Sequence, residues 1–327
     1  ITDSMREGLV LLNGSNAILS INPAARAIFH ADADCIGRDF LTVERHTDLS
    51  AAIRSAVESG HSQLRAERSG RIYQFDLSRI DSGGDALGIV LLAFDVTEQA
   101  EAERMRREFT ANVSHELKTP LQSIIGSVEL LENDLVQPED RPRFLGRIHQ
   151  EAQRLVSLIN DILGLSQLDE GAAMPRESVS LLSLAQEAAA SLSAAAQAQN
   201  VTLTVNGTAG TLTGVRRLLS ETVRNLCENA VKYNVPGGSV TVTVAETPQA
   251  VTLTVADTGI GIPPADQSRV FERFYRVDKS HSRAIGGTGL GLSIVKHAVA
   301  YHHGTVQLDS TPGQGTVITV TLPKDAA

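Results

Sequence analysis

Apolar residues recur at three- and four-residue steps through the middle of this chain, and this periodicity constrains the fold more than any other feature. The first stripe is formed by Met105, Phe109, Val113, Leu117, Leu121, Ile124, Val128, Leu131 and Leu135. After a loop around Gln137-Pro138, a second stripe is formed by Phe144, Ile148, Leu155, Leu158, Ile159, Ile162 and Leu165. The pattern predicts two amphipathic helices that cannot bury their apolar faces alone. We therefore expect a homodimer through residues 98–170, paired as a four-helix bundle; the alternative is a hairpin packed only on its neighbouring domains.

A histidine interrupts the first helix in the string FTANVSHELKTP, residues 109–120. At about 100° per residue, His115 lies roughly 200° from Val113 and is predicted to face solvent. The neighbouring carboxylate of Glu116 can hold the proton on Nδ1 and leave Nε2 free to attack an electrophile. Taken alone, His115 is better explained as an ordinary surface histidine, and only its neighbours favour a reactive one.

Two residues after Glu116 add to this pattern. Thr119 is one turn beyond His115 on the same face, where its hydroxyl can orient a water molecule. Pro120 has no backbone N–H, so the carbonyl of Glu116 loses its helical hydrogen bond and a bend is expected beside the histidine.

Composition excludes several classes of protein. With 327 residues and 42% hydrophobic content, the chain has room for two or three domains, and its net charge of −9 argues against a nucleic-acid partner. Cys35 and Cys227 lack CxxC spacing, which disfavours a disulfide framework or a zinc site and fits a reducing, cytoplasmic setting. The longest apolar run, residues 87–94, is too short to span a bilayer. Because the chain starts at Ile1, we expect the cytoplasmic portion of a longer protein whose upstream part can carry a membrane anchor.

Residues 1–96 have the pattern of a small α/β module. Strand patterns GLVLLN and AILSI flank a turn, Asn22-Pro23 opens a helix, and RIYQFDLSRI and ALGIVLLAF form a hairpin. This order, with its DVTE ending at Asp95–Glu98, resembles a PAS sensor domain. We predict no ligand: Cys35 precedes Gly37-Arg38, whereas flavin-binding relatives have cysteine after such a pair, and His30 and His46 fit solvated histidines better than haem ligands. Asp95 or Thr97 is predicted to cap the helix that continues to His115.

From Pro175 onwards the chain is predicted to form helices packed on a mixed sheet. In ETVRNLCENAVKYN, Asn225, Asn229, Lys232 and Tyr233 line one helix face. The amide oxygen of Asn229 can bind Mg²⁺, and Lys232 can neutralise phosphate. Asparagine is unfavourable inside a helix, so the pair indicates a function.

Glycine-rich loops accompany this helix. Asp257 ends a strand in VTLTVADTGIGIP, where its carboxylate can accept from the exocyclic amine of adenine while Gly259 and Gly261 allow close backbone approach. Gly287, Gly289 and Gly291 precede a helix whose free N–H groups favour phosphate. Each loop alone is also compatible with an ordinary turn.

The segment between these loops is predicted to be a mobile lid. Phe271 and Phe274 in FERFYR are expected to anchor it. The cations of Arg276, Lys279 and Arg283 can then reach the γ-phosphate. A solvated charged loop is the alternative.

Taken in this order, the HELKTP, Asn225–Tyr233, DTGIGIP, FERFYR and GGTGLGL segments resemble those of two-component sensor histidine kinases over residues 98–325. The resemblance implies a multidomain α+β chain: a PAS-like domain (1–96), a signalling helix with a dimerising phosphotransfer hairpin (97–171), and an ATP-binding α/β sandwich of the gyrase/chaperone/histidine-kinase type (172–327). It also implies phosphoryl transfer from Mg-ATP to His115 and then to an aspartate of a response regulator.

The resemblance also implies residue roles. His115 is the phosphoacceptor, Glu116 the assisting base, and Thr119 supports dephosphorylation of the regulator. Asn229 is the magnesium ligand and Asp257 reads adenine. The remaining nucleotide contacts implied are Asn225, Lys232, Tyr233, Gly259, Gly261, Gly287, Gly289 and Gly291.

Two other functions are considered. Hydrolytic ATPases of the same nucleotide fold carry a glutamate four residues before the magnesium-binding asparagine, where this chain has Asn225, an amide that cannot act as a base. A dimeric ATP-binding scaffold without catalysis is the second alternative, which Asn229, Asp257 and the glycine loops disfavour. The sensor ligand, the regulator, the balance of kinase and phosphatase activity, and transfer within or between subunits are left open.

Overall fold

The structure is a computed structural model that describes residues 2–32, 34–82, 85–169, 174–277 and 287–324. It divides into two compact units, Ile1–Thr110 and Ala111–Ala327. Lys279 and Arg283, which the sequence predicts to reach the γ-phosphate, lie outside the described residues.

The first unit is built on a five-stranded antiparallel sheet with the strand order β2-β1-β5-β4-β3. Its elements are β1 (Gly8–Asn13), β2 (Ile18–Ile21), α1 (Pro23–Phe29), α2 (Phe40–Val43), α3 (Thr47–Ser59), β3 (His61–Arg68), β4 (Arg71–Ser82) and β5 (Asp85–Asp95). Helix α1 begins as its sequence predicts, because the side chain of Asn22 accepts from the N–H of Ala25 at 2.9 Å. Phe29, Phe40 and Phe75 pack together in the core between the helices and the sheet.

A long helix follows, α4 (Thr97–Glu132), and then α5 (Arg141–Asp169). The carboxylate of Asp95 accepts from the N–H of Thr97 at 3.0 Å and so caps the first turn of α4. The helix runs through Pro120, whose side chain is buried. The two helices and the loop between them agree with the hairpin that the apolar stripes predict.

The described residues after α5 form an α/β sandwich. Its elements are β6 (Glu177–Ser180), α6 (Leu181–Ala198), β7 (Thr202–Gly207), β8 (Thr211–Gly214), α7 (Arg216–Lys232), β9 (Ser239–Glu246), β10 (Ala250–Asp257), α8 (Pro264–Gln267), α9 (Gly291–Tyr301), β11 (Thr305–Thr311) and β12 (Gly315–Pro323). The sheet has the order β11-β12-β10-β9-β7, and it is mixed because β7 and β9 are parallel.

One apolar core joins the inner faces of this sheet and of helices α6 and α7. Alternate residues of β9 and β10, such as Val242 and Leu253, point into it. This packing orients α7 so that its polar face lies beside the C-terminal end of β10 and the start of α9. Strands β6, β8 and β11 were not predicted, since β6 and β8 are only four residues long and β11 is largely polar.

Candidate functional site

His115 is exposed on α4, as its angle from the apolar stripe predicts. The hydroxyl of Thr119, one turn further on, donates to the backbone carbonyl of His115 at 3.2 Å. Thr119 is itself exposed, so this hydroxyl can exchange its backbone bond for a water molecule. The predicted face of α4 therefore presents both side chains to solvent.

Glu116 contacts two arginines from different parts of the second unit. Arg276, in the segment after β10, donates from Nη2 to Oε2 of Glu116 at 3.0 Å. Arg154 of α5 lies 3.8 Å from the same oxygen. Arg276 also donates to the carbonyl of Gly287, and its side chain is only 7% exposed. The sequence suggested this arginine as a phosphate contact, and in the structure it bonds the carboxylate beside His115.

The polar face of α7 lies against the glycine-rich segment that leads into α9. A Cβ atom added to Gly291 would lie 3.0 Å from Oδ1 of Asn225, and one added to Gly287 would lie 3.3 Å from both Lys232 Nζ and the Tyr233 hydroxyl. The amide nitrogen of Asn225 is buried without a hydrogen-bond partner among the described residues. Asn229, between them on the helix, is half-buried. These residues form the wall of one polar site.

The environment of Lys232 favours an anion. Burial lowers the pKa of its amine, the carboxylate of Glu228 acts in the opposite direction, and the charges of Arg276 and Arg154 lower it further. An incoming phosphate would offset both the burial and the repulsion among these cations.

Asp257 closes the other end of the site at the last residue of β10. Its Oδ1 accepts from the N–H groups of Gly259, at 2.8 Å, and Thr316, at 3.2 Å. Burial raises the pKa of this carboxyl, and the two backbone bonds oppose that shift. Both bonds use Oδ1, so Oδ2 can accept from a ligand amine. Gly259 and Gly261 form the turn that follows.

Gly289 holds the segment before α9 in place. Its φ is +72°, and an added Cβ would lie 2.9 Å from the Cα and carbonyl carbon of Phe274. The N–H of Phe274 donates to the carbonyl of Gly289 at 2.8 Å. Only glycine tolerates this backbone conformation at such a close approach. The structure thus joins the backbone of Phe274 to this segment, whereas the anchoring of a lid by Phe271 and Phe274 stays a prediction.

Three residues of this region were not singled out from the sequence: Arg154, Asp161 and Thr288. The hydroxyl of Thr288 donates to Oδ2 of Asp161 on α5 at 3.1 Å. Burial raises the pKa of Asp161 to about 6, opposed by the Thr288 bond and the charge of Arg224. In the sequence, Arg154 and Asp161 are only charged residues close to the apolar positions Leu155, Leu158 and Ile162 of the second stripe, and this pattern is a weak indication of function.

The donor set suits a magnesium–nucleotide complex better than a metal bound by protein alone. No cluster of three or more metal-binding His, Cys, Asp or Glu side chains occurs in the described part of the chain. Mg²⁺ in nucleotide sites takes few protein ligands and completes its shell with phosphate oxygens and water. The unpartnered amide of Asn225, the cations and the glycine cradle fit such a ligand.

Three family models match successive parts of the chain. Residues 2–101 match the PAS fold, 105–171 the His Kinase A (phospho-acceptor) domain, and 214–326 the histidine kinase-, DNA gyrase B- and HSP90-like ATPase. The chain is 38% identical over 276 residues to the sensor-like histidine kinase SenX3 of Mycolicibacterium smegmatis, covering 82% of this chain and 71% of that protein. The chain belongs to the sensor histidine kinase family.

Other sensor kinases agree with this assignment. The chain is 33% identical to the sensor histidine kinase WalK of Bacillus subtilis, covering 98% of this chain but only 54% of WalK, so it spans about half the length of that relative. The predicted family, its ATP-dependent histidine kinase class and the multidomain α+β fold class are confirmed. Among the described residues, we find no helix with the length and apolar character needed to cross a membrane.

Solved sensor kinases have the same fold. Full-length ShkA in complex with AMPPNP has a TM-score of 0.51 and 29% identity, covering 67% of this chain and 47% of ShkA. The histidine kinase ThkA in complex with the response regulator protein TrrA has a TM-score of 0.54 over 98% of this chain and 96% of ThkA, at 20% identity.

Proposed function

We propose that this sensor kinase transfers the γ-phosphoryl group of Mg-ATP to Nε2 of His115 and then to an aspartate of a response regulator. The observation that carries the proposal is the 3.0 Å contact between Arg276 and Glu116. It brings a cation of the nucleotide site to the residue next to the acceptor histidine.

In the first step, the Nε2 lone pair forms a bond to the γ-phosphorus. The bond from that phosphorus to the bridging oxygen breaks, and its electron pair leaves with ADP. Glu116 holds the proton on Nδ1 of His115 and stabilises the positive charge that develops on the ring. Positioning and charge neutralisation supply most of the catalysis in such a transfer.

The proposed nucleotide contacts follow the geometry of the site. Asp257 accepts from the adenine amine, and Asn229 contributes an amide oxygen to Mg²⁺, which neutralises phosphate charge when bound. Lys232 and Arg276 neutralise the phosphates further, with Tyr233 and Asn225 beside them. Backbone N–H groups at the start of α9 can donate to the same phosphates.

In the second step, an aspartate oxygen of the regulator attacks the phosphorus and the electron pair of the P–N bond returns to Nε2. For the reverse signal, Thr119 orients water toward the phosphorylated regulator. The neighbouring structure of ThkA with TrrA supports a regulator as partner, since that kinase has a related fold.

We also propose that the active form is a homodimer through residues 98–170. Apolar side chains of α5 are exposed in the single chain; Leu145, Val156, Ile159 and Leu163 are 45–59% exposed. A second copy would cover this surface and complete a four-helix bundle. The proposed domains are 1–96, 97–171 and 172–327, supported by the end of β5 at Asp95 and the start of α4 at Thr97. A membrane anchor upstream remains part of this proposal.

The test is labelling with γ-radiolabelled ATP and Mg²⁺. Wild type is expected to acquire an acid-labile label that His115→Gln abolishes. His149→Gln is the matched control, because His149 is an exposed histidine on α5. Label retained by His115→Gln, or lost with His149→Gln alone, contradicts the assignment of the acceptor. Phosphate release without any protein label would favour the hydrolytic alternative.

A further inference from the structure

We propose that each chain phosphorylates its own His115, so that autophosphorylation occurs within a subunit of the dimer. This inference rests on the proposed function and decides a question that the family motifs leave open. Its basis is that one chain by itself brings its nucleotide-binding residues to the helix that carries its acceptor.

Arg276 joins the nucleotide site to the phosphoacceptor helix of the same chain. It lies 3.0 Å from Glu116 of the same chain and simultaneously bonds the carbonyl of Gly287, at the start of the phosphate-binding segment. The guanidinium is almost entirely buried at this junction. The site that holds the γ-phosphate is therefore continuous with the chain's own phosphoacceptor helix.

A line of contacts follows α5 within one chain. The Arg217 and Glu221 side chains of α7 lie near Gly164, Thr288 bonds Asp161, and Arg154 approaches Glu116. The contacts of the nucleotide-binding part cover residues 161–164 of α5, roughly 6 Å of helix at about 1.5 Å per residue, and Arg154 lies seven residues, or about 10 Å, further toward the start of α5. The nucleotide-binding part thus contacts α5 of its own chain, and the end that is proposed to bind phosphate lies toward Glu116.

One cation of the hairpin and one of the nucleotide site meet at Glu116. Arg154 of α5 and Arg276 are both close enough to Lys232 to lower its pKa, and both face Glu116. A transferring phosphoryl group needs such cations on both sides of its path. Here the hairpin and the nucleotide site of one chain supply them together.

Dimerisation leaves this arrangement intact. On a helical wheel, Arg154, Leu158, Asp161 and Leu165 of α5 cluster on one side, while the exposed Leu145, Val156, Ile159 and Leu163 centre roughly 165° away. The nucleotide-binding part occupies the first side and a second copy would occupy the other. Transfer between subunits would instead require each nucleotide site to leave its own α5.

The test uses heterodimers made from two differently tagged full-length chains and purified by both tags in sequence. One chain carries His115→Gln, which lacks the acceptor, and the other carries Asn229→Ala, which lacks the proposed magnesium ligand. We expect a loss of label to background in this heterodimer. Radiolabel on the Asn229→Ala chain would overturn the inference, because only the partner could have supplied the phosphoryl group.

A second heterodimer provides the positive control. A wild-type chain is paired with a chain that carries both substitutions, and we expect label on the wild-type chain. Absence of label there, while the wild-type homodimer is labelled, would also overturn transfer within a subunit. Absence of label in the wild-type homodimer would instead contradict the proposed function. Repeating the first heterodimer with Asp257→Asn in place of Asn229→Ala guards against a folding defect of one variant.

Discussion

Asp161 illustrates how burial at the interface of α5 and the nucleotide-binding segment changes the chemistry of one residue. Burial raises its pKa to about 6, although Thr288 donates to its carboxylate at 3.1 Å. Glu221 and Glu228 raise the pKa further, and Arg224 lowers it. Ionisation of this carboxyl group therefore costs free energy in the folded protein, and the hydrogen bond from Thr288 offsets only part of that cost.

A pH-dependent effect of Asp161→Asn follows. The folded state binds this proton more tightly than the unfolded chain, so the cost of ionisation is absent at pH values below the ordinary pKa of aspartate and complete above about 6. The amide still accepts from Thr288, and we expect Asp161→Asn to stabilise the protein by on the order of 1 kcal/mol at pH 8 and by less at pH 5. The effect is measured by calorimetry at pH 8 and pH 5. The relevant melting transition is that of the ATP-binding part, which is identified by its shift when ATP is added.

The control for this prediction is Glu139→Gln, at an exposed position in the loop between α4 and α5. This substitution removes a carboxylate charge that is not buried. We expect it to leave the melting temperature unchanged at both pH 8 and pH 5. Stabilisation by Asp161→Asn that is equal at both pH values would mean that ionisation is not its cause.

Gly289 provides a second prediction at the level of a residue, with Gly313 as its matched control. The two have nearly the same φ, +72° and +75°, but only a Cβ at Gly289 meets other atoms, the backbone of Phe274. Alanine in this conformation costs roughly 1–2 kcal/mol at either site. Gly289→Ala must in addition displace the segment that carries the N–H groups proposed to bind phosphate.

We therefore expect Gly289→Ala to weaken ATP binding about tenfold, roughly 1.4 kcal/mol, while Gly313→Ala leaves it unchanged. Isothermal titration with a non-hydrolysable ATP analogue measures both. Equal affinities of the two variants would contradict the role of the close contact with Phe274.

At the level of elements, helix α5 has two different faces on opposite sides. One carries Arg154 and Asp161 toward the nucleotide-binding part, and the other exposes apolar side chains that we propose a second copy covers, of which Ile159 belongs to the predicted second stripe. The periodicity of the second stripe predicted the helix correctly but did not separate its two faces. Of the residues in that stripe, Leu158 and Leu165 are buried in the single chain, whereas Ile159 is exposed. Only packing separates the two sets.

Disruption of the dimer by Ile159→Glu follows from the exposed face. A charge placed in an apolar bundle seam cannot be paired or solvated, so we expect the dimer to dissociate at micromolar concentration. Size-exclusion chromatography with light scattering measures the mass. Ser157→Glu is the control, since Ser157 is exposed and about 160° away around α5. A dimer that persists in Ile159→Glu would place the interface elsewhere.

At the scale of the whole molecule, local patterns anticipated most of the elements. Strands with alternating apolar residues, such as β9 and β10, and helices with strong caps, such as α1, were predictable because neighbouring residues decide them. The short strand β8 was not, since it becomes a strand only by pairing with β6. The sequence likewise predicted which residues form the candidate site but not how they are arranged in space.

The sequence by itself determined the family, the phosphoacceptor candidate, the amide pair on α7 and the glycine loops. These depend on residue type and spacing within one element, which chain geometry converts directly into a shared face or turn. Only the tertiary structure decided that Arg276 bonds Glu116, that Thr288 bonds Asp161, and that α5 presents separate faces to its own nucleotide site and to solvent. Such contacts join residues more than a hundred positions apart, and their formation depends on how whole helices and sheets pack.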